Sequence, residues 1–276
     1  MSNITPDDGF PLPHLPPDYM SPPALRRPLS ALFPSLSFYV RVFLVVRAAG
    51  AKAARGEYTA EDWIGSSLET LRALEYCGVV LEIRGLEHLA HLNGPCVVVS
   101  NHMSTLETFI LPCVIQPHKD VTFVIKEDLL KYPWFGNVLR ARDPITVGRA
   151  DPRADLNSML KGGAERLGAG ISIIVFPQGS RGPSFDPRHF NSVGVKIARK
   201  AGVPVLPLAL RSDAWGVGKI VKDFGPIRPQ LRVRFKFGPP LSVAGNGKEE
   251  HATVLRFIQD NLASWGIDAP YCAVTE

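Results

Sequence analysis

Pro95-Cys96-Val97-Val98-Val99-Ser100-Asn101-His102-Met103-Ser104-Thr105-Leu106-Glu107 reads as a short buried strand, a turn and the opening of a helix. The unbroken apolar run before Ser100 is the pattern of a strand covered on both faces, and the apolar stretch from Thr105 to Ile115 continues as a helix. His102 therefore falls in the turn. Residues five apart on one continuous helix point well round the cylinder from each other, so His102 can fold back on Glu107 only if it precedes the helix. An imidazole oriented by a carboxylate is a general base near neutral pH, and the carboxylate stabilises the imidazolium as it forms. This device requires no metal. A second role competes for the acid, because Ser104-Thr105-Leu106-Glu107 is also a capping box in which Glu107 reaches back to the helix start.

Outward from this segment, apolar runs alternate with helical patterns. Strands are expected near 79–84, 95–100, 121–125, 144–147, 171–176, 204–210 and 231–237, with helices at about 59–77, 105–115, 153–168, 190–200 and 248–264. The alternation predicts an α/β fold with a sheet covered on both faces. Thr59 is placed to cap the first of these helices, and Gly162-Gly163 interrupts the 153–168 pattern. Leu231-Arg232-Val233-Arg234-Phe235-Lys236-Phe237 alternates apolar with basic and predicts a half-exposed edge strand.

About 70 residues beyond His102, Ile171-Ser172-Ile173-Ile174-Val175-Phe176-Pro177-Gln178-Gly179-Ser180-Arg181-Gly182 runs from an apolar strand into a glycine-rich turn that ends in arginine. Its chemistry suits an anion: Gly179 permits close backbone approach, Ser180 offers a hydroxyl, and Arg181 presents a planar fork that matches phosphate oxygens. The same pattern also describes an ordinary strand-to-loop turn with a solvated arginine.

Together the two segments resemble the glycerolipid acyltransferase family, with its N-H-x-x-x-x-D and F-P-E-G-T-R motifs, and most closely its 1-acylglycerol-3-phosphate branch. Lys126 to Gly136, Ile145-Thr146-Val147-Gly148-Arg149 and Val203-Pro204-Val205-Leu206-Pro207 are similar to the remaining blocks, so the resemblance spans roughly residues 79 to 240. It implies a mixed, largely parallel sheet flanked by helices. It implies further that His102 deprotonates the acceptor hydroxyl, that Glu107 orients His102, that Arg149 and Arg181 hold the acceptor's phosphate, and that Gln178, Gly179 and Ser180 belong with them to the substrate-binding set. The reaction implied is transfer of a fatty acyl group from acyl-CoA or acyl-acyl carrier protein, as co-substrate and with no cofactor, to a lysophospholipid acceptor, giving phosphatidate from 1-acylglycerol-3-phosphate. Glu107 stands where this branch usually has Asp, Gln178 where it has Glu, and Gly148 where it has Asp.

The 276 residues are expected to divide into a proline-rich, poorly ordered tail (1–28), a helical membrane-associating segment (29–77) and the α/β acyltransferase domain (78–276). Residues 29–47 are rich in aromatics and aliphatics, but Pro34, Arg41 and Arg47 break the roughly 18 apolar residues that a span requires. The segment can lie in a bilayer interface with Phe33, Phe38, Tyr39 and Phe43 inserted, or pack as a helix on the core. A net charge of +5 favours anionic surfaces, and no nucleic-acid motif accompanies it, so a membrane surface is the expected partner and nucleic acid is not. Cys77, Cys96, Cys113 and Cys272 show no paired spacing and no signal peptide is visible, which points to a membrane-associated protein on the cytoplasmic face. Trp134 and Phe135 suit an acyl channel or the core, and Arg211 and Lys219 suit the acceptor site or solvent. The alternatives are another acceptor (glycerol-3-phosphate, lyso-ornithine lipid or lipid A type), a thioesterase and a non-catalytic lipid binder; a thioesterase lacks a G-x-S-x-G elbow here.

Overall fold

A computed structural model describes residues 15–22, 30, 32–148, 150–218 and 221–270. Its strands are β1 (Tyr19–Met20), β2 (Leu81–Arg84), β3 (Val97–Ser100), β4 (Val121–Lys126), β5 (Ile145–Val147), β6 (Ser172–Val175), β7 (Val205–Arg211) and β8 (Val233–Phe237). The helices are α1 (Pro34–Ala54), α2 (Ala60–Tyr76), α3 (Glu87–Ala90), α4 (Leu106–Ile115), α5 (Phe135–Arg140), α6 (Pro152–Gly168), α7 (Val193–Ala201) and α8 (Lys248–Ser264). The strands form one sheet in the order β1-β2-β8-β7-β3-β6-β4-β5. The block β7-β3-β6-β4-β5 is parallel throughout, β8 is antiparallel to β7, and β2 is parallel to β8. The expected mixed, largely parallel sheet is thus present.

Alternate residues of the central strands feed two cores. Val98, Ile174 and Leu206 pack with residues of α1, α2 and α4 on one face, while Val97, Val99, Ile173 and Val175 pack with residues of α7 and α8 on the other. This two-sided burial is why the strands read as continuous apolar runs. Thr59 caps α2 through a reciprocal capping box with Asp62. The Ser67 hydroxyl of α2 enters the backbone ladder of α4, accepting from Cys113 N (2.9 Å) and donating to Phe109 O (2.6 Å), next to Pro112, which has no N–H to offer.

Three expectations are corrected. The 231–237 run is not an edge strand: β8 lies between β2 and β7, because alternation reports which face is open rather than which strands are neighbours. Gly162-Gly163 does not interrupt α6; a Cβ on Gly163 would lie 2.7 Å from Ile197 Cγ2, so the glycine admits close approach of α7. Of the tail expected at 1–28, residues 1–14 and 23–28 lie outside the described residues, but 15–22 are built into the sheet. Tyr19 and Met20 pair with Ile83 and Glu82, and Ser21 Oγ donates to the buried Glu75 carboxylate at 2.7 Å. That acid, remote in sequence, overrides the local proline content.

α1 runs straight through Arg41 and Arg47, residues that forbid a membrane span but not a helix. Phe38, Val42 and Ala49 face inward, whereas Leu36, Val40, Phe43 and Leu44 form an exposed apolar row at helical spacing. No helix among the described residues is long and apolar enough to cross a membrane. α1 meets α5 at Gly50, where an added Cβ would lie 2.4 Å from Trp134 Cβ, and Trp134 itself is held at φ 56°. Helix propensity alone makes Gly50→Ala stabilising; the contact reverses the sign, and a loss of about 1–3 kcal/mol in a denaturant melt is expected. An unchanged or raised midpoint would show that α1 is not docked this way.

Candidate functional site

β3, β6 and β7 are neighbours and end at Ser100, Val175 and Arg211, so the turns that follow them converge at the carboxyl edge of the sheet, where open α/β sheets bind ligands. His102 leaves the first turn, the 176–182 segment leaves the second, and Ser212 leaves the third.

His102 Nδ1 lies 2.8 Å from Glu107 Oε1. The fully buried carboxylate also accepts from the Met103 and Ser104 backbone N–H groups at 2.7 and 3.0 Å, from Ser104 Oγ at 3.1 Å and from Ser212 Oγ at 2.5 Å. Burial pushes this carboxyl up, but the hydrogen bond and charge of His102, with the Ser212 hydroxyl and the Ser104 N–H, outweigh it and hold the group below the usual carboxylate range. An ionised acid fixes the Nδ1 side of His102 and leaves Nε2 as the remaining ring nitrogen. The ring stacks on Phe176, centroids 4.3 Å apart and planes 14° from parallel. The two competing roles of Glu107 coexist: it bonds the Ser104 N–H at the helix start and the imidazole together. The Met103 and Ser104 amides bond this carboxylate, and the Leu106 amide bonds Ser104 Oγ at 3.1 Å.

The second turn is fastened to the first. Gln178 Oε1 accepts from the His102 backbone N–H at 2.6 Å, and the Gly182 N–H donates to His102 O at 3.2 Å. Gln178 thus supports the turn that carries His102 and is absent from the cavity lining, whereas Gly179, Ser180 and Arg181 line the cavity. Gly179 has φ +71°, a left-handed conformation suited to glycine. Arg181 donates to the Thr105 hydroxyl and pairs with Asp223. Arg149 and Lys219 lie outside the described residues. Arg211 pairs with Asp213 at 3.1 Å and donates to Trp265 O, away from the cavity.

The cavity has a volume of about 900 Å³ and joins His102 and Arg181 to an aromatic chamber. Its walls include Tyr39, Val42 and Phe43 of α1 and Phe109, Phe123, Trp134, Phe135 and Trp215, with Phe109 stacked on Phe135 at 5.2 Å. Trp134 and Phe135 therefore belong to this chamber. Cys77, Cys96 and Cys113 are buried away from it, and burial pushes Cys96 up to about 11 and Cys113 up to about 12; Cys272 lies outside the described residues. Reasoning from sequence missed Ser212, Phe176 and Asp223 as members of the site and read Ser104 only as a helix cap; Phe176, inside the F-P-x-G run, and Ser104, in the capping box, left local signals, whereas Ser212 and Asp223 left none.

The chain matches the family model described as Acyltransferase over residues 80–211. A 1-acyl-sn-glycerol-3-phosphate acyltransferase of Pseudomonas aeruginosa is 34% identical over 214 residues, 77% of this chain and 76% of that protein. A chloroplastic 1-acyl-sn-glycerol-3-phosphate acyltransferase of Brassica napus is 34% identical over 140 residues, 51% of this chain and 38% of its own length. Among solved structures, the 1-acyl-sn-glycerophosphate acyltransferase PlsC of Thermotoga maritima shares the fold, with a TM-score of 0.65 at 21% identity over 89% of this chain and 99% of that one.

Proposed function

Since this chain belongs to the 1-acyl-sn-glycerol-3-phosphate acyltransferase family, we propose that it transfers a fatty acyl group from a thioester to the free hydroxyl of 1-acylglycerol-3-phosphate, giving phosphatidate. The observation that carries this reading is the His102–Glu107 pair at the junction of an aromatic chamber and an arginine. The chamber suits an acyl chain, Arg181 suits the acceptor's phosphate, and His102 Nε2, the ring nitrogen not bonded to Glu107, suits the base.

His102 takes the acceptor's hydroxyl proton, the oxygen attacks the thioester carbonyl, and the C–S bond breaks as the tetrahedral intermediate collapses. The departing thiolate recovers the proton from the imidazolium, which Glu107 stabilises in the interval. Direct transfer fits the cavity walls, since no described cysteine reaches them. Acyl-CoA and acyl-acyl carrier protein both present the thioester that this chemistry needs.

The exposed row Leu36, Val40, Phe43 and Leu44 on α1, with Trp134 and Phe224 also exposed, supports association with a bilayer surface, since contiguous exposed apolar area marks such contacts. Chamber walls contributed by that same helix let a lipid substrate enter without crossing water. Three buried thiols fit the cytoplasmic face.

Purified protein with a labelled acyl thioester should form phosphatidate only when 1-acylglycerol-3-phosphate is added. Thioester loss without acceptor would make it a thioesterase, and liposome binding without thioester loss a lipid binder. Arg181→Ala is expected to raise the acceptor KM about 10- to 100-fold, matching the ~1.5–3 kcal/mol of a charge-assisted contact, and to lower kcat less. A fall in kcat alone would remove Arg181 from acceptor binding.

A further inference from the structure

Arg181 does not stand alone at the acceptor end of the cavity. Asp223 pairs with its guanidinium, the Tyr132 hydroxyl donates to the other Asp223 oxygen at 3.2 Å, and Thr105 Oγ1 lies 3.4 Å from Asp223 Oδ1. The backbone that delivers this carboxylate is itself fixed: Trp215 Nε1 donates to Asp223 O at 3.1 Å, and the Gly216 N–H donates to Pro226 O at 2.9 Å. Gly225 crosses Gly216 so closely that a Cβ would lie 1.8 Å from Gly216 O. Asp223 is therefore a built part of the wall. Thr105 and Asp223 each take one donor of the guanidinium, whose fork carries five, so Arg181 can receive a phosphate while Asp223 stays beside it. Among the described residues that line the cavity, three cations, Lys126, Arg181 and Lys222, stand against three carboxylates, Asp128, Asp155 and Asp223. A cation and an anion side by side complement a zwitterion.

Resting on the assignment of Arg181 to the acceptor's phosphate, we propose that Asp223 sets headgroup selectivity and extends the acceptor range to lysophospholipids whose phosphate bears a primary amine. The phosphate engages Arg181, and the ammonium, two carbons away in an ethanolamine ester, meets Asp223 and the Tyr132 oxygen. The chemistry is unchanged: the free glycerol hydroxyl loses its proton to His102, the ester bond forms, and the thiol leaves with that proton. A like charge beside the site weakens a dianion more than a zwitterion, so the carboxylate tilts selectivity away from the monoester.

The test uses the full chain, one acyl-CoA and mixed micelles containing 1-acylglycerol-3-phosphate, 1-acylglycerophosphoethanolamine or 1-acylglycerophosphoglycerol. The unmodified protein should acylate the ethanolamine acceptor about tenfold more efficiently than the glycerol diester, which lacks the ammonium. Equal or reversed efficiencies overturn the proposal without any variant being made. Asp223→Asn should move the ratio of kcat/KM for monoester over ethanolamine acceptor about tenfold toward the monoester, and Asp223→Glu should restore the parent ratio. An unmoved ratio in a folded Asp223→Asn protein overturns it. Arg181→Ala separates the two layers: if it depresses neither acceptor the phosphate assignment falls, and if it depresses both while Asp223→Asn moves nothing, only the present inference does.

Discussion

His102→Ala lowers kcat by about 10²- to 10⁴-fold, the usual worth of a positioned proton transfer, while the acceptor KM moves little. The physical basis is the division of labour in the cavity. On the proposed assignment, Arg181 and the aromatic chamber bind, whereas the ring nitrogen opposite Nδ1 acts only as the hydroxyl becomes a nucleophile. The variant should remain folded, because Glu107 keeps its bonds from the Met103 and Ser104 amides and the Ser104 and Ser212 hydroxyls after the ring is gone. Only the stacking on Phe176 and one hydrogen bond are lost. Steady-state kinetics paired with a single-turnover measurement provides the check, since slow product release would mask a chemical step. A folded variant that transfers acyl groups at the parent single-turnover rate would remove His102 from the reaction.

Much of this site is legible in the chain because its two main segments are local. The His102 turn lies between a strand and a helix whose periodicities differ, and β3 and α4 fall within two residues of their expected bounds. What stayed hidden depends on long-range placement. Ser212 reaches Glu107 across 105 positions and Asp223 reaches Thr105 across 118, separations at which no residue pattern signals contact. β1 is held by Tyr19 and Ser21 on Glu75, a partner more than fifty residues away, inside a stretch whose prolines argue for an extended chain. The place of β8 within the sheet failed for a different reason: period-two alternation describes faces, and strand order is set by crossovers. The resemblance places Gln178 in the substrate-binding set, yet its oxygen points back to the His102 amide. A carboxylate or an amide oxygen can accept that bond.

Glu107→Ala carries the largest expected loss of stability, about 3–5 kcal/mol, the range for breaking a buried charged network by removing one partner. Two backbone N–H groups and the hydroxyls of Ser104 and Ser212 all converge on this carboxylate, and its removal leaves buried donors without their acceptor. Glu107→Gln keeps the shape and one acceptor oxygen, so its loss of stability should be smaller, while its kcat should still fall steeply because the imidazolium loses its counter-charge. The two variants thus separate the scaffolding role of the acid from its electrostatic one. The carboxyl is held below the usual range in the fold, so its contribution is fully present above the ordinary glutamate value of about 4.3 and is lost as the pH falls through the lower folded-state value. The stability gap between parent and Glu107→Gln should therefore shrink on acidification below about pH 5. Denaturant melts across that range give the gap directly. A gap that widens below about pH 5 would mean that the buried acid is protonated in the native state, and His102 would then have no anion to orient it.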